Sequence, residues 1–139
     1  MEESIVKLVR DTFELEEQDI NTYSPLTLAY IGDAIYDLII RTMVVEKGNT
    51  APNRLHQKTS KIVKAESQAR AIEGLLDILS EEELAIYKRG RNAKSFTTAK
   101  NASVSDYRKA TGFEALLGYL YLTERTDRLM ELTKLAQLK

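Results

Sequence analysis

Residues 24–36 read SPLTLAYIGDAIY, and residues 111–122 read TGFEALLGYLYL. Each stretch is apolar around most of a helical circumference, which is typical of central, buried helices. Each contains a single acidic residue, Asp33 in the first and Glu114 in the second. A glycine lies near each acid, and because glycine weakens a helix its presence indicates close backbone approach. If the two helices cross at these glycines, Asp33 and Glu114 can share one cation.

Helix signals continue on both sides of these two stretches. Ser24 followed by Pro25 is an N-cap with proline at the first helical position. Ser80 and Glu83 form a capping box that begins another helix. No alternating β-type pattern occurs, so the sequence predicts an all-α fold. The predicted helices cover residues 24–46, 65–79, 80–90, 106–122 and 126–138, and one more begins at residue 50. A loop is predicted at 91–103.

The composition is that of one folded domain without a membrane span. The 139 residues are 43% hydrophobic and 29% charged, so we predict a single domain over residues 1–139. The absence of cysteine and the single histidine, His56, exclude disulfides, cysteine nucleophiles and multi-histidine zinc sites within one chain. No run approaches the ~20 apolar residues of a membrane helix, and the acidic N-terminus differs from a signal peptide. We expect a cytoplasmic protein with no membrane partner.

The net charge of −1 conceals two basic segments. Residues 54–70 contain five bases against one acid, and residues 88–109 contain seven bases against Asp106 alone. Such segments are usually solvated faces of a generic protein. Clustering of seven bases around a loop rich in glycine, asparagine and serine favours a nucleic-acid surface instead.

Asp33 and Glu114 need a neutralising partner if they are buried as their apolar surroundings predict. An unpaired buried charge costs on the order of several kcal/mol, and neither acid has a base one helical turn away. In one interpretation each acid pairs with a base from elsewhere, such as Arg41 or Arg91. In the other, the two carboxylates form a hard-metal site that suits Mg²⁺, with Mn²⁺ as a substitute. Spacing alone leaves both open; beside a basic surface, the second suggests metal-assisted phosphodiester hydrolysis.

Two motifs resemble those of a known family. Residues 28–35, LAYIGDAI, resemble the signature of the ribonuclease III family, in which an acidic helix runs into Phe-Leu-Gly-Asp. Residues 113–122, FEALLGYLYL, resemble that family's second catalytic helix, and segments within 55–69 resemble the helix pair between the motifs. The match covers residues 26–122 in the expected order. Together with KRGRNAKS at 88–95, the expected absence of a double-stranded-RNA-binding domain resembles the family's bacterial short form.

The resemblance implies an all-α ribonuclease III catalytic-domain fold, a homodimer with one active site per subunit, and Mg²⁺-dependent endonucleolytic cleavage of double-stranded RNA. For the short form it also implies maturation of the large-subunit (23S) ribosomal RNA precursor. By position, Asp33 matches the signature aspartate and Glu114 the metal-binding glutamate, so both are predicted to be catalytic residues and metal ligands. Leu26, Ala29 and Thr111 stand where the larger enzymes have further acids.

The resemblance also assigns a role to the basic segments. A-form RNA is recognised mainly by shape, through phosphates and 2′-hydroxyls, and neutral side chains add contacts to phosphate and sugar. The predicted RNA-binding residues are Lys58, Lys61, Lys64, Lys88, Arg89, Arg91, Asn92, Lys94, Ser95, Lys100 and Arg108. For the dimer interface, the apolar candidates are Ile39, Ile40, Met43 and Val44.

Two other functions compete with the enzyme. The missing acids support a catalytically silent ribonuclease III-fold RNA-binding or assembly module. A helical protein-interaction adaptor would explain the apolar helices but neither the lone acids nor the basic loop. Metal dependence separates the enzyme from both, and salt-sensitive RNA affinity separates the module from the adaptor.

Overall fold

The structure, a computed structural model, describes residues 4–94 and 103–138 and is built from helices. Two short 3₁₀ turns, at Ile20–Thr22 and Leu76–Ile78, join some of them, and the described residues contain no strand. The predicted all-α class is confirmed. The helices are α1 (Ile5–Thr12), α2 (Pro25–Glu46), α3 (Pro52–Val63), α4 (Ala65–Glu73), α5 (Glu81–Asn92), α6 (Val104–Leu122) and α7 (Thr126–Ala136).

Helix α6 is the centre of the fold. It packs against α2, α4, α5 and α7. From Ala110 to Leu120 every residue of α6 is buried except Glu114, which is half-buried. Phe113, Leu116, Leu117 and Leu120 have no accessible surface, so they supply much of the hydrophobic stabilisation. The prediction of a central, buried helix is confirmed for α6.

For α2, the prediction of a central, buried helix is wrong on one face. Its inner face packs Leu28, Tyr36 and Ile40 against the core. Its outer face is apolar but uncovered: Tyr30 is 81% exposed and Leu38 is 52% exposed. Hydropathy alone does not distinguish a helix surrounded by its own chain from one that leaves an apolar face uncovered, because both are rich in large apolar residues.

A serine side chain caps the start of four of the seven described α-helices. The Ser24 hydroxyl accepts a hydrogen bond from the Thr27 N–H at the start of α2, and the predicted Ser80 capping box is formed at the start of α5. The helix predicted over 65–79 instead ends at Glu73, because Gly74 favours helix termination and a tighter 3₁₀ turn follows. None of the helices in the described part of the chain has the length and hydropathy needed to cross a bilayer.

Candidate active site

The site lies where α2 crosses α6. The two backbones approach closely there because each helix has a glycine at the crossing. A methyl group added at Gly32 would lie 1.7 Å from the carbonyl oxygen of Glu114. One added at Gly118 would lie 2.0 Å from the carbonyl oxygen of Leu28. Both distances are far shorter than any van der Waals contact, so only glycine permits the two backbones to approach in this way. The inference that the glycines mark a close helix contact is confirmed.

The crossing brings the two lone acids together. The Glu114 carboxyl is half-buried within hydrogen-bonding reach of the Asp33 carboxyl. Asp33 is exposed and lines a shallow cavity with Tyr30 and Ala34 on the outer face of α2. The expectation that both acids are buried is therefore wrong for Asp33, because the outer face of α2 is uncovered. The pair consists of one inner and one solvent-facing carboxyl.

Burial, the negative charge of Asp33 and a hydrogen bond to Asp33, in that order of size, raise the pKa of Glu114 to about 8. A hydrogen bond from Gln68 acts in the opposite direction and stabilises the charged form. Two carboxyls this close interact strongly, so below about pH 8 the pair retains a proton in the absence of a cation. A cation at this position would replace that proton.

Gln68 of α4 contacts the pair from the inner side. Its side chain is buried, with 2% of the residue exposed. The Nε2 group donates to the carbonyl oxygen of Val63 at 2.7 Å and to Oε2 of Glu114 at 3.4 Å. The Oε1 atom of Gln68 is buried without a hydrogen-bond partner in the described structure. Sequence analysis did not identify this residue, whose position in an amphipathic helix resembles that of any polar side chain.

The two arginines considered as partners for the acids are engaged elsewhere. The Arg41 guanidinium pairs with Asp37 at 2.7 Å. Arg91 lies over the ring of Tyr87, with 5.6 Å between its guanidinium carbon and the ring centroid. Within the described ranges, neither Asp33 nor Glu114 forms an ion pair. The interpretation in which Arg41 or Arg91 neutralises the acids is wrong.

The chemistry of the site fits a hydrated hard cation. Its donors are oxygens, which Mg²⁺ and Mn²⁺ prefer over softer ligands. Among residues 4–94 and 103–138 there is no cluster of three or more acidic, histidine or cysteine side chains that could enclose a metal. Thr111, at the position of a further acid in the larger enzymes, is buried and donates to the carbonyl oxygen of Tyr107 in its own helix. Two carboxylates suit an ion that retains several waters.

The described members of the predicted RNA-binding set fall into two groups. Lys58, Lys61 and Lys64, hereafter the α3 bases, are exposed along α3 and at its end. The other group, hereafter the α5–α6 bases, surrounds the facing ends of those helices and consists of Lys88, Arg89, Arg91, Lys94 and Arg108, with Asn92 beside them.

A shallow cavity brings part of the second group together. Arg91, Asn92 and Arg108 line it side by side, together with Lys109, whose ammonium pairs with Glu73 at 2.9 Å. The α3 bases do not line that cavity. Ser95 and Lys100 lie outside the described residues, as does most of the loop predicted at 91–103.

Comparisons with known proteins show which family the chain matches. Residues 26–125 match the model of the ribonuclease III domain. The chain is 51% identical over 123 residues to the Mini-ribonuclease 3 of Clostridium tetani, covering 88% of this chain and 82% of that protein. It is 48% identical over 136 residues to that of a Thermoanaerobacter species, covering 98% and 96%. A crystal structure of a Fusobacterium nucleatum protein, 32% identical, superposes with a TM-score of 0.75 over 84% of this chain and 93% of that one.

Proposed function

Because the chain belongs to the ribonuclease III family, in the branch of the Mini-ribonuclease 3 proteins, it is an endoribonuclease, and we propose that it cleaves double-stranded RNA at the Asp33–Glu114 pair with a bound divalent cation. The single observation that carries this proposal is the convergence of the two lone carboxyls at the glycine contact between α2 and α6. A structural role would not require two acids to face each other without a base.

In this proposal Asp33 and Glu114 hold Mg²⁺, or Mn²⁺ as its substitute. When bound, the cation lowers the pKa of a coordinated water and offsets negative charge on the phosphate. Asp33 presents its carboxylate to solvent, where the RNA backbone arrives. Glu114 gives up its proton when the site is filled, and its position in rigid, buried α6 fixes the inner side of the site.

We further propose that RNA is held by the basic side chains on the protein surface. The α3 bases and most of the α5–α6 bases are exposed, and none of them forms an ion pair with an acid in the described part of the chain. Neutralising several phosphates makes binding depend strongly on salt. Ser95 and Lys100 stay predicted members of the RNA-binding set. The natural substrate we propose is the 23S ribosomal RNA precursor in the cytoplasm, on the likeness to the short-form relatives.

A homodimer completes the proposal, because cutting both strands of a duplex needs two sites at a fixed separation. The uncovered face of α2 supports it. Ile35, Leu38 and Ile39 line an apolar groove there that continues onto Met130 of α7. Covering such a face with a second copy would remove apolar surface that isolated monomers rarely expose.

The test is cleavage of a long RNA duplex, followed on a gel, with Mg²⁺ and with EDTA. We expect Mg²⁺-dependent fragments that disappear in Asp33→Asn and in Glu114→Gln. Glu46→Gln is the matched control, since it neutralises an exposed acid at the far end of α2, away from the crossing. Near-normal turnover in either site variant would refute the assignment of the site.

The alternative considered from sequence, a catalytically silent RNA-binding module, runs against this family membership. The observation that favours it is the thin acidic set: Leu26, Ala29 and Thr111 supply no carboxylate, and no third acid from the described chain replaces them. Salt-sensitive binding of the duplex without cleavage at any Mg²⁺ concentration would establish this alternative.

A further inference from the structure

Gln68 carries an inference that deepens the proposed function and rests on it. A buried amide normally has all its polar atoms hydrogen-bonded, because losing water without replacement is unfavourable. The Nε2 group of Gln68 satisfies this rule, but its Oε1 atom does not, although only 2% of the residue is exposed. The unpaired oxygen belongs to the side chain that contacts Glu114.

The break between α3 and α4 fixes the orientation of this amide. Helix α3 ends at Val63, and Lys64 is extended with ψ 153°, so the Val63 carbonyl points out of the helical hydrogen-bond pattern. The Nε2 group of Gln68 donates a hydrogen bond to that carbonyl at 2.7 Å and another to Oε2 of Glu114 at 3.4 Å. Rotating the amide by half a turn would place its oxygen against these two acceptors. The oxygen therefore stays on the side where the described protein offers it no donor.

A donor is available if the carboxylates hold a hydrated cation. With two carboxylate side chains at the site in the described part of the chain, an ion such as Mg²⁺ would keep several waters, and each of these would need hydrogen-bond acceptors. A neutral amide oxygen can accept such a bond without adding a third negative charge beside Glu114. Groups that orient ligands and bound waters in this way are a general part of metal sites.

We propose that Gln68 is a positioning residue of the metal site: its NH₂ group holds the Glu114 carboxylate in place, and its Oε1 atom accepts a hydrogen bond from a water bound to the divalent cation. A role limited to capping the end of α3 would use only the bond to Val63. It would explain neither the contact with Glu114 nor the unpaired oxygen.

The test compares Gln68→Met with Gln137→Met. Methionine has a similar length but lacks both the donor and the acceptor. Gln137 is the matched control, because its Nε2 also donates to a side-chain oxygen, Tyr36 Oη at 3.1 Å, and to a carbonyl, that of Thr133 at 3.3 Å. Both variants lose two comparable hydrogen bonds, but only one of them loses an amide at the carboxylate pair.

The first readout is Mn²⁺ binding to the RNA-free protein, measured as free Mn²⁺ by electron paramagnetic resonance. We expect Gln68→Met to weaken binding by about 10- to 100-fold, as loss of such partners does elsewhere, and Gln137→Met to leave it unchanged. The Mg²⁺ concentration for half-maximal cleavage should rise by a similar factor in Gln68→Met, with cleavage restored at high Mg²⁺. Duplex binding in EDTA should be unaffected.

Equal Mn²⁺ affinity in Gln68→Met and wild type would overturn the role of Gln68 while leaving the proposed function intact. A wild-type protein that neither binds Mn²⁺ nor cleaves RNA would instead refute the proposed function itself. If Gln68→Met does not fold, the side-chain NH₂ resonances of Gln68 in the wild type decide. They should shift on addition of Mg²⁺ while those of Gln137 do not, and unmoved Gln68 resonances would overturn the inference.

Discussion

Without a cation, the Glu114 carboxyl holds a proton below about pH 8, and the proposed cation would have to displace it. Glutamate in an unfolded chain ionises near pH 4.5, whereas burial and the neighbouring Asp33 raise the pKa of Glu114 to about 8 in the folded protein. The proton is therefore bound more tightly when the chain is folded. Its contribution to the free energy of unfolding is fully present below pH 4.5 and is lost as the pH rises toward 8. At the proposed metal site, the fold is therefore less stable at the pH values where Glu114 is ionised and ready to bind a cation.

The proton on Glu114 should make metal binding depend on pH. Between pH 6 and 7.5 the dissociation constant for Mn²⁺ should fall by roughly tenfold per pH unit, because each bound ion releases about one proton, and it should level off above about pH 8. Titration calorimetry in two buffers of different ionisation enthalpy measures both the affinity and the proton release. Affinity that is flat from pH 6 to pH 8 would show that Glu114 is already ionised in the free protein.

The two carboxylates could be predicted from sequence, but the third group at the site could not. Asp33 and Glu114 stand out because each is the only acid in an apolar helical stretch. The partner of Glu114 is a glutamine, and glutamine is common on exposed helix faces, as at Gln57. Lys64 is extended between α3 and α4, and Gln68 donates to the Val63 carbonyl at this break, a contact that no local sequence signal marks.

At the scale of secondary-structure elements, the α2–α6 contact predicts a severe effect of one methyl group. In Gly118→Ala the new Cβ would lie 2.0 Å from the Leu28 carbonyl oxygen, and backbone cannot move aside as a flexible side chain can. We expect the helices to separate. The free energy of unfolding should fall by at least about 2 kcal/mol, and RNA cleavage should be lost. Urea denaturation and the duplex assay measure the two effects.

Ala85→Ser serves as the control for this variant, since it adds one atom to the exposed face of α5. It should unfold at the wild-type urea concentration. Unchanged stability and cleavage in Gly118→Ala would mean that the close crossing is not needed to bring the carboxyls together.

A second contact between elements joins the start of α5 to α7 through a buried ion pair. Glu83 is 4% exposed, and both of its carboxylate oxygens accept hydrogen bonds from Arg128 at 2.8 Å. The Arg128 hydrogen bonds are the largest influence that lowers the pKa of Glu83. The stability that this pair contributes is present above about pH 4.5 and is lost as the pH falls below that value.

Replacing the arginine tests this pair. Arg128→Met should lower the free energy of unfolding by about 3 kcal/mol at pH 7, because Glu83 is left buried without its partner. The difference from wild type should shrink as the pH falls well below 4.5, because Glu83 then takes up a proton, at a lower pH in the wild type than in the variant. Urea denaturation at the two pH values measures it. Glu131→Gln, which removes only the exposed partner of Arg128, should change stability little, and a deficit that persists at low pH would exclude this electrostatic origin.

The helices with strong local signals were predicted well, and those shaped by their surroundings were not. Caps and proline locate the starts of α2 and α5, because capping depends on residues close in sequence. Helix α1 was not predicted. Its Ile5, Val6, Leu8 and Val9 lie on one side of the helix, a helical pattern that was present in the sequence, but only Val6 among them is buried.

At the scale of the whole molecule, the uncovered apolar groove is the feature that a single sequence describes least well. Of the four residues named as interface candidates, Ile40 and Val44 lie in the protein's own core, whereas Ile39 and Met43 line the groove. Hydropathy marks all four alike. Their helical positions relative to α6 decide which of them face outward, and that relation depends on the glycine crossing.

A single charge introduced into the groove should change the oligomeric state. Leu38 is 52% exposed and lies in the groove beside Ile35 and Thr42, so the proposed dimer would bury it. In Leu38→Glu, the new carboxylate would lose its hydration in the dimer without gaining a basic partner. We expect this change to raise the dimer dissociation constant by at least about a hundredfold. Sedimentation velocity over a range of protein concentrations measures this constant. The monomers formed should cut duplex RNA poorly, because only paired sites can cleave both strands at a fixed spacing.

Leu15→Glu is the matched control, since Leu15 is 55% exposed but lies outside the groove. It should keep the wild-type dissociation constant and cleavage pattern. A wild-type protein that sediments as a monomer at all concentrations would refute the proposed dimer. A Leu38→Glu variant that dimerises normally would move the interface to another surface. If Leu38→Glu is monomeric yet still releases both strands together, each copy must complete cleavage alone, and pairing of subunits would then serve something other than the two-strand cut.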